Sequence, residues 1–177
     1  MKHIPNILTI LRLLACPLLI YLFYSKKHLA VLIIFLLACI TDFFDGYLAR
    51  KKNLNTNLGK FLDPIADKVL IITMCIMLII NNDISGLHKL AFYIIIIREI
   101  IITFLRFNLD NKNKNIDVSK LSKYKTFIQM AAIGSILIYH NFELFYFQLP
   151  SIVLVWFSAF ITLFTGIQHL KIYKKLK

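Results

Sequence analysis

Apolar residues fall in six blocks along the chain, separated by short polar stretches. They run Ile7–Tyr24, Leu29–Ala49, Phe61–Ile80, Leu87–Phe107, Phe127–Tyr139 (short unless extended back to Ser122) and Leu149–Leu170. A helix needs about 20 residues to cross the hydrocarbon core of a bilayer. In lipid only helices and closed barrels satisfy their own backbone, and these runs lack the strict alternation of barrel strands. The pattern predicts an all-α integral membrane protein with six transmembrane helices, as a single domain over residues 1–177.

Composition strengthens this reading. Hydrophobic residues make up 59% and charged residues 17% of 177 residues. A soluble domain carries about 45–50% and about 25%, respectively. The charges that remain are placed unevenly. Lys and Arg outnumber Asp and Glu by 21 to 9, and most of the bases sit between alternate apolar blocks. With the N-terminus inside, one side holds Lys2, Arg50, Lys51, Lys52, Lys60, the bases from Arg106 to Lys125, and four lysines after Leu170. The other holds only Lys26, Lys27 and Lys89, while Arg12, Lys68 and Arg98 lie within spans. Positive residues are retained on the cytoplasmic side, so both termini are expected in the cytoplasm, at the inner (plasma) membrane. That bias accounts for the basic balance, and no nucleic-acid partner is expected.

Other candidate chemistry is thin. Cys16, Cys39 and Cys75 lie singly in apolar blocks and read as small buried residues, not as disulfides or zinc ligands. The lipoprotein-like Leu13-Leu14-Ala15-Cys16 is followed by Pro17 and more apolar residues, which favours a retained first helix. His3, His28, His88, His140 and His169 stand at block edges and read as interfacial or solvated.

The acids are different. Asp42 and Asp45 are three residues apart, and Asp63 and Asp67 are four apart, so each pair shares one helix face. A short linker makes the two helices antiparallel neighbours, so four carboxylates can face one cleft at the cytoplasmic edge. Unpaired they would repel and take up protons. A hard divalent cation, Mg²⁺ or Mn²⁺, is the usual remedy. Gly46, Ala49 and Gly59 clear space beside them. Solvation, or pairing with Arg50, Lys60 and Lys68, is the alternative. Asp63-Pro64 reads as a helix start or a kink.

Residues 42–67 read D-x2-D-G-x2-A-R-x8-G-x3-D-x3-D. This resembles the signature of the CDP-alcohol phosphatidyltransferase family, six-helix membrane enzymes. I-P-N-I-L-T-I-L-R at 4–12, R-E-I-I-I at 98–102 and K-Y-K-T-F-I-Q-M at 123–130 extend the likeness over nearly the whole chain. They are similar to the branch that uses glycerol 3-phosphate as acceptor. Ser122 stands where that branch typically has Gly.

The resemblance implies metal binding by Asp42, Asp45, Asp63 and Asp67, with Asp67 also the catalytic proton acceptor. It implies contact with a CDP-diacylglycerol donor for Asn6, Thr9, Gly46, Ala49, Arg50 and Thr56. Arg98, Lys123 and Lys125 are the candidate cradle for the acceptor's phosphate, with Glu99 or the Asp cluster as partner for Arg98. Two metal ions and a homodimer are likewise implied. The expected reaction transfers a phosphatidyl group from CDP-diacylglycerol to sn-glycerol 3-phosphate. Serine, inositol phosphate or phosphatidylglycerol as acceptor would share the Asp motif. An ion carrier is the reading from another class, although carriers place their sites near the midplane and often carry inverted repeats.

Overall fold

A computed structural model describes residues 4–52, 57–81, 83–84, 86–110 and 120–176, with side chains described over 9–42, 65–81, 83–84, 86–107 and 124–173. Among the described residues every regular element is helical. The six long helices are α1 (Ile4–Tyr24), α2 (His28–Lys52), α3 (Asn57–Ile80), α4 (Lys89–Asp110), α5 (Lys120–Phe142) and α6 (Phe145–Leu176). A single 3₁₀ turn, Gly86–His88, leads into α4.

Each expected block is a helix, and the differences lie at the ends. α5 begins at Lys120 and α6 at Phe145. α3 starts at Asn57, so Asp63-Pro64 lies inside the helix and does not open it. Among the described residues, one stretch, Phe145–Tyr173, combines the length and hydropathy of a membrane span. Within the described side chains, the apolar stretches of α1 and α2 are Thr9–Tyr24 and His28–Asp42. Charges inside the other helices, such as Lys68, Arg98 and Glu99, interrupt their apolar runs.

α6 shows what kind of surroundings the bundle is built for. Its buried positions include Ser151, Ser158, Thr162, Thr165 and His169, at helical spacing. Its opposite face exposes Val153, Phe157, Phe160, Phe164 and Ile167. A helix on a soluble protein turns its apolar stripe inward; this one is polar inside and aromatic outside. The inward hydroxyls are satisfied within their own helix, as with Ser158 Oγ donating to Val155 O at 2.7 Å and Thr162 Oγ1 to Ser158 O at 2.6 Å.

The helices pack α1 on α2 and α3, α3 on α4, α4 on α6, α5 on α6, and α2 on α5. The turn after α1 fixes the first reversal. Lys26 adopts φ 54°, Lys26 N donates to Phe23 O at 3.0 Å, and Lys27 N donates to Leu22 O at 3.0 Å. That is a Schellman closure with lysine at the left-handed position glycine usually takes.

Successive reversals sort the interior into two halves. Leu19, Phe23, Phe35, Leu70, Met74, Leu78, Phe92, Ile133 and Leu137 form a close-packed apolar core. These come from the later parts of α1, α3 and α5 and the earlier parts of α2 and α4. The buried ionic residues come from the complementary parts of the same helices, so they collect in the other half. Beyond the apolar half, His140 Nε2 lies 3.0 Å from Asp83 O and 3.5 Å from Asp83 Oδ1. Trp156 Nε1 donates to His88 Nδ1 at 3.1 Å, closing the same end.

Candidate active site

Two ionic clusters occupy the polar half, and consecutive residues of α3 serve them. Asp67 faces the first and Lys68 the second.

The first cluster centres on Arg12 of α1, which is almost completely buried. Its Nη1 donates to Asp67 Oδ1 at 2.5 Å and lies 3.1 Å from Asp42 Oδ1. Both carboxylates remain about a quarter exposed, at 28% for Asp42 and 26% for Asp67. A buried guanidinium needs such partners, because an unpaired charge is costly to remove from water. Thr9, one turn before Arg12, is fully buried, as is Ala66 beside Asp67. The sequence reading left Arg12 within a span without a partner. Its signal was a lone cation in an apolar helix, which calls for an acid on a neighbouring one.

The structure therefore brings together Asp42 and Asp67 among the expected residues and buries Thr9 one turn from the arginine that joins them. The helices carrying Asn6, Asp45, Gly46, Ala49, Arg50 and Asp63 are described, but those side chains lie outside the described set, and Thr56 lies outside the described residues altogether. Among the described residues no three His, Cys, Asp or Glu side chains converge on one point. The oxygens of Asp42 and Asp67 nevertheless meet at one cationic atom, Arg12 Nη1. This all-oxygen donor pair fits a hard divalent cation.

The second cluster centres on Glu99, 1% exposed at the middle of α4. Its Oε1 accepts from Arg98 Nη1 at 3.0 Å, from Gln129 Nε2 at 3.3 Å, and from Lys125 Nζ. Arg98 Nη2 donates to Thr165 Oγ1 at 2.9 Å, and Gln129 Nε2 donates to Thr162 Oγ1 at 2.8 Å. Glu99 thus ties α4 to α5, and its partners reach α6. Of the two candidate partners for Arg98, the structure selects Glu99. Lys125 joins the same carboxylate, while the Lys123 side chain lies outside the described set.

Gly166 makes room for this arrangement. A Cβ there would stand 3.1 Å from Arg98 Cγ and 3.2 Å from Arg98 Nε, closer than side chains normally pack. Arg98 Nε and Gln129 Oε1 are buried with no hydrogen-bond partner among the described residues. Arg106 Nη2 of α4 lies 3.5 Å from Nε2 of His169, farther along α6. Arginine has only donors, so a hydrogen bond between the two requires that nitrogen to accept. His169 is 3% exposed, which corrects the interfacial reading. The stripe Ser158, Thr162, Thr165, His169 would have signalled its inward face.

Lys68 joins the clusters. Its Nζ donates to Thr103 Oγ1 at 2.7 Å, and Thr103 Oγ1 donates to Glu99 O at 2.6 Å. A carboxylate site and a cation-rich site are therefore neighbours on one helix. Such a pairing can receive a polyanion in one part and activate a group in the other.

Comparison with known proteins agrees with this chemistry. Residues 2–164 match the model of the CDP-alcohol phosphatidyltransferase family, and the chain belongs to that family of membrane-associated lipid-synthesis enzymes. Its relatives include proteins named CDP-diacylglycerol--glycerol-3-phosphate 3-phosphatidyltransferase. The one from Rickettsia bellii is 42% identical over 98% of this chain and 97% of its own length. That from Haemophilus influenzae is 36% identical over 97% and 94%. The Bacillus subtilis protein is 33% identical over 96% and 94%.

Proposed function

We propose that this protein transfers the phosphatidyl group of CDP-diacylglycerol to sn-glycerol 3-phosphate, releasing CMP and forming phosphatidylglycerophosphate. The observation that carries the reading is the adjacency of Asp67 and Lys68 on α3, one in the carboxylate cluster and the other beside the Arg98–Glu99–Lys125 cluster. The names of the full-length relatives support the same donor and acceptor.

Asp42, Asp45, Asp63 and Asp67 would hold one or two Mg²⁺ or Mn²⁺ ions, which supply charge neutralisation at the donor's diphosphate. Arg12 orients Asp42 and Asp67 toward a common point. Asn6, Thr9, Gly46, Ala49, Arg50 and Thr56 form the donor site. Arg98, Lys123 and Lys125 receive the acceptor's phosphate and so aim its 1-hydroxyl at the phosphorus carrying diacylglycerol. Asp67 takes the hydroxyl proton as the new O–P bond forms. The bond from that phosphorus to the bridging oxygen breaks, and the electron pair leaves with CMP.

The polar-inside, aromatic-outside α6 supports an integral membrane protein whose six helices span the bilayer. The basic residues near the acidic cluster support a cytoplasmic site and cytoplasmic termini at the plasma membrane. That placement suits one lipid substrate and one soluble substrate. A homodimer completes the reading by family likeness.

The test is CMP release by the purified protein with CDP-diacylglycerol and Mg²⁺, run in parallel with glycerol 3-phosphate, serine, inositol phosphate and phosphatidylglycerol. Release with glycerol 3-phosphate alone, lost in a folded Asp67→Asn variant, is expected. Release with another acceptor would keep the family chemistry and overturn the acceptor assignment.

A further inference from the structure

We infer that Glu99 is a positioning residue for the acceptor: it fixes Arg98 and Lys125 in the arrangement that receives the phosphate, without touching the substrate itself. The inference rests on the proposed glycerol 3-phosphate transfer and deepens it.

The cluster is rich in positive charge. Arg98 and Lys125 contact Glu99 directly, Lys68 lies within Coulombic range of Glu99, and Arg106 lies within that range of Arg98 and Lys68. Buried cations on different helices repel one another and favour rotamers that reach outward to water. A single buried carboxylate opposes this. Because Oε1 accepts from Arg98, Lys125 and Gln129 together, it draws donors from two helices onto one atom. Charge-assisted bonds of this kind are short and directional, so they set position as well as energy.

Arg98 shows how complete the fixing is. A guanidinium has five N–H groups in a rigid plane. One, on Nη1, is committed to Glu99 and one, on Nη2, to Thr165. Gly166 lies against its stem and Nε. The plane is thus fixed from α4 and α6, while Nε and one N–H on each Nη remain uncommitted by these bonds. Nε is buried against Gly166, so the two remaining Nη hydrogens are the donors left for an anion's oxygens. Gln129 anchors the carboxylate from the far side through its second bond, to Thr162. Glu99 also lowers the surplus positive charge while leaving the cations in the majority. A phosphate monoester would still meet a net positive site whose cations are already held near one another.

A residue that acts only by holding the cradle predicts a particular kinetic pattern. Glu99→Gln keeps the volume and one acceptor oxygen but removes the charge. Glu99→Asp keeps the charge but withdraws it by one methylene. In both, KM for glycerol 3-phosphate should rise by about tenfold, as expected for a lost charge-assisted bond. KM for CDP-diacylglycerol should stay within about twofold, because its site is not held by these bonds. Adding Glu99→Gln to Lys125→Met should raise the acceptor KM by clearly less than the product of the two single effects, since contacting residues are not additive, and the remaining rise comes from the loss of the Arg98 contact.

The experiment measures both KM values and kcat for the wild type, the two single variants, Lys125→Met and the double variant. All are purified in detergent and checked for wild-type elution. If Glu99→Gln does not elute as the wild type, Glu99→Asp decides by the same criteria. Donor and acceptor KM rising together would overturn the inference, as would additive effects in the double variant or no change in a folded Glu99 variant. A failure of both variants to fold would make Glu99 a structural residue and equally overturn it. Wild-type protein without glycerol 3-phosphate-dependent turnover would instead refute the proposed function. Turnover that is insensitive to Glu99 would refute only its positioning role.

Discussion

Arg12 is the residue whose removal should say most about the carboxylate cluster. Its Nη1 reaches Asp67 at 2.5 Å and Asp42 at 3.1 Å, from a side chain that is 1% exposed. At about 4 Å between charge centres and an effective dielectric near 20, each pair is worth roughly 4 kcal/mol before desolvation. Desolvation consumes much of that, and removing one partner of a buried pair typically costs about 3–5 kcal/mol. Because Asp42 and Asp67 keep about a quarter of their exposure, the lower end applies. Arg12→Met should cost about 3 kcal/mol, read as a lower midpoint in thermal unfolding of the detergent-solubilised protein. The freed carboxylates should then repel one another. Mg²⁺ should therefore raise the midpoint of Arg12→Met more than that of the wild type, and Arg12→Lys should fall between. An Arg12→Met variant with wild-type stability, and with the same response to Mg²⁺ and to EDTA, would refute the claim that Arg12 holds the acids together.

Three further outcomes follow from other parts of the molecule. Gly166→Ala places a Cβ 3.1 Å from Arg98 Cγ, so the stem must move by a few tenths of an ångström; steady-state kinetics should show a severalfold higher KM for glycerol 3-phosphate with little change for the lipid donor. Lys26→Gly relieves a lysine held at φ 54° and should stabilise by up to about 1 kcal/mol, seen as a higher unfolding midpoint. In the connection between α3 and α4, burial raises Asp83 above its ordinary value of 3.8, and His140 and His28 oppose this only in part. The folded chain thus binds that proton more readily than the unfolded chain. Its contribution to stability is fully present below 3.8 and is lost as pH rises through the folded value. Asp83→Asn should flatten the corresponding part of the stability–pH curve, whereas an unchanged slope would show that Asp83 is not its source.

The six helices were legible because each apolar block is long and bounded by polar residues. The start of α5 was less so. Lys120, Lys123 and Lys125 look like a solvated approach to a helix, and only the buried Glu99 partner explains why Lys125 lies inside one. Asp42 and Asp67 belong to the two acidic pairs that spacing singled out, while the side chains of Asp45 and Asp63 lie outside the described set. Arg12 was harder, because its partners lie on two helices that sequence spacing does not connect. His169 was misread from its place at the edge of an apolar block, although its phase relative to Thr162 and Thr165 points inward. The notch at Gly166 depends on how closely α4 approaches α6, a distance that no pattern within either helix encodes.

The central claim is met most directly by following carbon from the acceptor into lipid. Purified protein would be incubated with CDP-diacylglycerol micelles, Mg²⁺ and radiolabelled sn-glycerol 3-phosphate, and the chloroform-extractable label compared with the CMP released. The account predicts equimolar labelled lipid and CMP, both abolished by EDTA or by omitting the donor. Folded protein that releases no CMP, or releases it without moving label into lipid, would contradict it.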